Sequence, residues 1–368
     1  MEKIKRESNL DILRILCCIV VISTHISSRF KTAITDPNIF GAVLTTKIPA
    51  IILMDTMTRF VVPCFVMLSG TFALANDRNA DYRSYYRKTF RTIWIPMLVF
   101  SVLYVLDAMV GLIPQIRDGQ VGIAALLDPI KAWILGVPSY HMWYLYSMTG
   151  VYILTPFLVR WKNSVSQRTF RWCAFALLAL CTISGWTSQQ KFRWDAGVMF
   201  CYTGYYVMGY VVRDMLAERK GNGKGLLLIL AAVVALLALS GIRYRHSMAG
   251  LAESDEVYQV IGTFNPLLAL ASVLLFAGFC ALNVSVNVDW FVKRSFLIYL
   301  FHAGVLNRLF GWILLRDVDR CVMTVLLGTA MVLAISFALS VIYEKLWSWL
   351  EKRWDISRRL TDLVIPEK

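Results

Sequence analysis

The chain has 368 residues, of which 58% are hydrophobic, 13% aromatic and only 17% charged. A soluble globular protein is nearer half apolar and one quarter charged, and surface-to-volume scaling leaves this chain too few polar residues to cover a water-exposed surface. The net charge of +14 comes from short basic blocks between apolar runs, without the aromatic–basic interleaving of a single-strand groove, which argues against nucleic acid as a partner.

A hydrocarbon core about 30 Å thick takes roughly 20 helical residues to cross. On that measure ten spans are expected, at residues 10–28, 57–75, 92–112, 141–160, 170–187, 196–212, 225–242, 260–282, 295–315 and 321–343. The expected fold is therefore an all-α integral membrane bundle over residues 1–343, followed by a basic amphipathic tail over 344–368. Trp347, Trp349 and Trp354 stand among Lys and Arg in that tail, the pattern of an interfacial helix on the cytoplasmic face. The basic stretch Met1–Asn9 precedes an apolar run with no small-x-small cleavage site, so this run reads as a retained first helix rather than a signal peptide. Counted with their flanks, the connections on the N-terminal side hold 24 Lys and Arg against 11 on the other, which places both termini in the cytoplasm. Segment 121–136 is apolar but short and holds Asp128, Pro129 and Lys131; it is expected at the interface or as a re-entrant piece. The eight cysteines show no CxxC spacing and mostly sit inside apolar runs. They read as small buried hydrophobes, and no metal is expected.

Ionisable groups inside a span are costly and flag a site. The first span, LDILRILCCIVVISTHISS, holds Asp11, Arg14 and His25. Arg14 and His25 are eleven positions apart, three helical turns plus about 20°, so they share one face some 16 Å apart along the axis. Asp11 lies three residues before Arg14, where it can pair with it. Snorkelling to opposite interfaces is the bland alternative for Arg14 and His25, but it requires no common face. In the second span, RFVVPCFVMLSGTFAL, Pro63 can kink the helix and Ser69-Gly70 permits close helix approach. Arg59 follows Asp55 at i+4, so an ion pair near the outer interface competes with a site role for it. Arg83, Arg87 and Arg91 repeat every four residues beside Lys88, one basic stripe that is either a topological anchor or a grip on phosphates. The fourth span opens HMWYLYSMTGVYILTP, placing His141, Trp143 and Tyr144 at the outer boundary. An aromatic belt accounts for Trp and Tyr there, but not for His141. The ninth span, SFLIYLFHAGVLNRLFGW, holds Tyr299, His302 and Arg308, with His302 either a packing residue or part of a site.

These runs, taken together, resemble the acyltransferase-3 family of integral membrane acyltransferases. The Arg14, ten residues, His25 spacing is similar to that family's opening signature, and PCFVMLSG to its Pro-x-Phe…Ser-Gly run, with Val66 at a usual aromatic. RKTFRTIWIP, HMWYLYSMTGVYILTP and FLIYLFHAGVL resemble its later motifs in family order. The resemblance implies an acyl-CoA donor, usually acetyl-CoA, and a hydroxyl acceptor on a surface glycan or lipid-linked sugar. It points to the bacterial inner membrane and to the family type without an added periplasmic domain. His is the side chain suited to accept the acceptor's proton near neutrality, and His25 is the expected base. His141, Tyr144 or Ser69 are candidates for stabilising the developing oxyanion. Arg14, Arg87, Lys88 and Arg91 are expected to hold the donor nucleotide at the cytoplasmic mouth. A transporter or flippase for a glycan or lipid-linked sugar is the rival reading, since buried polar groups also serve a transport path.

Overall fold

The computed structural model describes residues 7–35, 48–187, 196–248, 265–314 and 321–367, and among them every regular element is helical, with no strand. In chain order these are α1 (Ser8–Thr35), α2 (Ile48–Met57), α3 (Val61–Leu74), a 3-10 turn at Asp77–Ala80 and α4 (Tyr82–Thr89). A π-helical turn (Phe90–Trp94) leads into α5 (Ile95–Arg117), and a 3-10 turn at Ile123–Leu127 into α6 (Asp128–Ile134). Then come α7 (Trp143–Ser164), α8 (Gln167–Thr187), α9 (Ala196–Leu216), α10 (Asn222–Met248) and α11 (Pro266–Ala281). The chain ends with α12 (Asp289–Val292), α13 (Ser295–Leu314), α14 (Cys321–Trp354) and α15 (Ile356–Val364).

Five stretches are long and apolar enough on their own to cross a membrane: Ser8–Arg29, Ile52–Leu74, Tyr82–Arg117, Asn222–Arg245 and Val322–Trp354. Pro266–Ala281 is a shorter apolar helix. The remaining long helices are more polar because several of them lie inside the bundle. α9 packs against α3, α7, α8 and α11, and its Tyr202, Thr203, Tyr205 and Tyr206 are buried, where neighbouring helices rather than lipid meet the hydroxyls. On the outward faces, Leu103, Leu106 and Val110 of α5 and Leu226, Leu227 and Leu230 of α10 are exposed. Apolar stripes of that extent are at home against lipid rather than water.

The Ser69-Gly70 expectation holds in atomic detail. A Cβ at Gly70 would stand 1.8 Å from the Tyr206 carbonyl oxygen, and one at Gly209 2.1 Å from that of Met67. α3 and α9 thus cross backbone on backbone, the small-residue contact that packs membrane helices without a hydrophobic driving force. The second apolar stretch begins earlier than residue 57. α2 ends at Met57, a turn follows, and Pro63 sits in the first turn of α3, where its missing N–H costs no intrahelical bond.

Helix ends are tied across the bundle. Asn9 is buried at the start of α1 and its amide donates to the carbonyls of Phe279 and Cys280 at the end of α11, at 2.8 and 3.2 Å. Lys162 donates to the Leu74 carbonyl closing α3 and to Asp77, both at 2.8 Å. That Lys162 contact holds the Asp77 carboxyl below its ordinary pKa.

Two helices overrun the expected spans. Tyr82–Arg117 forms a run of 36 residues, about 54 Å long, so its basic α4 end projects past a hydrocarbon core of about 30 Å. Likewise the expected span 321–343 is the first part of α14, which continues to Trp354. Asp355 then takes a left-handed conformation (φ 47°), which Asp tolerates better than most residues, and the chain reverses into α15. The tail has a partner within the chain: α15 rests on the π-helical turn after α4, while Leu363 and Val364 stay exposed. Segment 121–136 forms the 3-10 turn and α6, with Ile123 and Ile134 exposed.

Candidate active site

Three histidines from distant parts of the chain converge. His25 comes from α1, His141 from the turn just before α7, and His302 from α13. The rings of His25 and His302 stack with centroids 5.3 Å apart, and His141 meets His302 edge-on at 5.0 Å. His141 and His302 are fully buried, whereas His25 keeps partial exposure. The sequence singled out each of them separately; their meeting is a tertiary fact.

Aromatic side chains wall this cluster. Tyr140 lies 4.9 Å from His25, Tyr104 of α5 lies 5.2 Å from His141, and Tyr299 lies 5.3 Å from His141. The Tyr299 hydroxyl donates to the His141 carbonyl at 2.5 Å, which fixes the turn that carries the ring. Tyr104 donates to the Leu300 carbonyl at 2.6 Å and accepts from the Gly304 N–H at 3.1 Å, tying α5 to α13. His302 Nδ1 lies 2.5 Å from the Tyr299 carbonyl oxygen. A carbonyl only accepts, so Nδ1 carries the proton and Nε2 is left with its lone pair. The Nε2 atoms of both His141 and His302 are buried with no hydrogen-bond partner among the described residues. An unmet buried polar atom costs free energy and asks for an explanation.

Beyond His25 towards the C-terminal end of α1 lies a charged knot. Asp55 is fully buried and accepts from Arg59 at 2.8 and 2.9 Å, from Ser28 at 3.0 Å and from Arg243 at 2.6 Å. The Asp55–Arg59 pair was legible as an i+4 spacing. Arg243 was not, since it counts only as a loop charge until α10 extends to include it. Arg243 also donates to Thr56 at 3.0 Å. Arg29 was likewise missed; its guanidinium lies 4.7 Å over the Tyr140 ring and 5.2 Å over Phe310, and it donates to Asn307.

At the other end of α1, Arg14 stands 3.9 Å from Asp11 and 5.3 Å over the Phe72 ring of α3. Arg14 thus meets α3, whereas His25 meets α13 and the turn before α7. The basic stripe is a separate cluster. Arg83, Arg87, Lys88 and Arg91 line a cavity of about 750 Å³ with Ser84 and Glu367. Of the remaining candidates, Ser69 donates to the Phe65 carbonyl at 3.0 Å. Tyr144 lies 5.9 Å from Tyr299, and Trp143 lies 6.2 Å from Tyr202, so this pair walls the α7–α9 side. Arg308 is not part of the histidine cluster; it pairs with Asp107 on an exposed face. Among the described residues no group of three His, Cys, Asp or Glu is arranged to hold a metal ion.

The arrangement offers a chain of imidazoles enclosed by phenols at one end of the bundle and a basic cavity at the other. Neither curated proteins nor solved structures give a match to the chain. One family model, described as an acyltransferase domain, matches residues 7–344, nearly the whole chain. That stretch contains α1 to α13, all three histidines, the charged knot and the basic stripe, and by this match the chain belongs to the acyltransferase-3 family and is a membrane acyltransferase.

Proposed function

We propose that the protein transfers an acyl group, acetyl in the simplest case, from acyl-CoA to a hydroxyl of a surface or lipid-linked glycan. In this reading ten spans cross the bacterial inner membrane with both termini in the cytoplasm. The donor then enters from the basic end and the acceptor from the histidine end. The observation that carries the reading is the convergence of His25, His141 and His302 at 5.0–5.3 Å on a chain of this family.

His25 acts as the general base because it alone of the three keeps some exposure. Its imidazole takes the acceptor's hydroxyl proton as that oxygen attacks the acyl carbonyl carbon. The carbon–sulfur bond then breaks, and the proton held by His25 leaves with the departing thiolate. His302, oriented through Nδ1, and His141, held through its own carbonyl, position the His25 ring. General acid–base help of this kind is worth about 10²- to 10⁴-fold in rate. At the other end, Lys88 and the Arg stripe supply the positive charge that nucleotide phosphates need, and a cavity of about 750 Å³ is of ligand-binding size. Arg14 lies between the two ends, about 16 Å from His25 along α1. The transport reading gains no specific support from the comparisons.

The test is purified protein given labelled acetyl-CoA and a surface-polysaccharide extract, comparing wild type with His25→Ala at equal expression. Label should enter the glycan with wild type and fall by at least about 10²-fold with the variant. Unchanged labelling removes His25 from the chemistry.

A further inference from the structure

The basic stripe is already engaged by the chain's own tail. Arg87 donates to the carboxylates of Asp362 at 2.5 Å and Glu367 at 2.6 Å, and also to the Ile365 carbonyl. Arg83 reaches the Pro366 carbonyl, and Arg91 Nε donates to the Thr361 hydroxyl at 3.2 Å. Three successive positions of the stripe therefore hold oxygens from one heptad of tail, residues 361–367. Arg87 is largely buried beneath it, while Asp362 and Glu367 remain part-exposed. Lys88 lines the same cavity.

The chemistry of that contact is substitution. A carboxylate meeting a guanidinium presents the same paired acceptor oxygens that a phosphate presents, so Asp362 and Glu367 stand where an anionic ligand of Arg87 must stand. We propose that residues 361–367 form a latch over the acyl-CoA phosphate site, closed in the free protein and displaced when the donor nucleotide binds. The proposal rests on the assignment of the stripe to the donor nucleotide. Three features of the segment fit a latch rather than a permanent wall. It is reached through a single left-handed residue, Asp355, a localised turn about which α15 can swing. α15 has nine residues, too few to persist as a helix once undocked. Arg358 lies 3.7 Å from Asp362 and 3.9 Å from Glu367, so a second cation already shares both carboxylates in the closed state and weakens the hold of Arg87 on them. The carboxylate side of these pairs is open to solvent, and solvent-open ion pairs are individually weak, which suits a contact that must open on every donor-binding event.

The experiment uses full-length protein in detergent, CoA as the probe, and the charge-removing pair Asp362→Asn with Glu367→Gln. Two readouts are taken, equilibrium CoA binding and trypsin cleavage after Arg358 and Arg359. Removing both competing charges should tighten CoA binding about 5-fold, the scale of one exposed ion pair. Tryptic cleavage at the tail should be faster in the variant without ligand, and CoA should accelerate it in wild type. A chain ending at Trp354 should match the variant's CoA affinity. Equal CoA affinity in wild type and variant, with binding weakened by Lys88→Ala, overturns the latch and leaves the nucleotide site standing. A variant whose tail is freed but which, like wild type, binds no CoA overturns the site assignment and the latch with it.

Discussion

Arg83, Arg87 and Arg91 each meet an oxygen of the tail at the basic end, whereas the Nε2 atoms of His141 and His302 are buried at the other end and meet no partner among the described residues. The two regions were equally conspicuous in the sequence, because both place polar groups in or beside apolar spans. Their surroundings differ. The stripe is compensated by carboxylates that are themselves open to solvent, an environment in which one anion can replace another. The histidines are enclosed by Tyr104, Tyr140 and Tyr299 and are held in fixed orientations. A site that binds and releases a charged ligand needs the first kind of environment. A site that moves a proton needs the second, where orientation is set before the reactants arrive.

This contrast is open to direct attack. The largest effect is expected from His302→Leu, which keeps the apolar volume but removes the oriented imidazole. Turnover should fall about 10²-fold while the KM for acetyl-CoA stays put, read from initial rates over a range of donor concentrations. A change confined to KM would place His302 with the donor and erase the difference between the ends. A smaller effect, about 10-fold, is expected from Lys88→Ala combined with Arg91→Ala, because one or two charge-assisted bonds are worth roughly that factor. Here KM should rise with kcat unchanged. If only the membrane topology of the variant changes, the stripe is an anchor. The smallest effect belongs to the Asp77–Lys162 pair, which lies outside the spans. The carboxyl of Asp77 is held below its ordinary value, so its contribution is present above the ordinary carboxylate pKa and is lost as pH falls through the depressed one. As Asp77 is largely exposed, Asp77→Asn should cost only a few tenths of a kcal/mol. Thermal unfolding near neutral pH should show that cost, and the variant's difference from wild type should vanish in acid.

What could be read from the sequence was whatever follows a short period. The eleven-residue interval fixed Arg14 and His25 on one face of α1, and the four-residue repeat laid out the stripe. Asp55 and Arg59 were recognisable as a pair, and Ser69-Gly70 as a place of close approach. What escaped was every relation that joins distant segments. No local signal tells that Arg243 shares the Asp55 carboxylate, because it lies 188 positions further on and counts as a loop charge. Tyr104, Tyr140 and Arg29 are ordinary residues of helix ends and belts until α5, α1 and the turn before α7 are packed together. The tail was legible as amphipathic, yet its Asp362 and Glu367 look like surface charges until α15 reverses at Asp355. The reversal depends on a single backbone torsion.

The crossing of α3 and α9 carries one more consequence. Where Gly70 and Gly209 bring two main chains into contact, there is no side chain whose rotamer can change to let the helices slide. A sliding motion there would have to break van der Waals contact along the whole seam, so these two helices form a stiff spine. Room for a bulky acceptor is then expected from the flank where α1 packs against α13 and α14. Spin labels across the Gly70 seam should keep one distance with and without ligands, while labels placed between α1 and α14 report any opening.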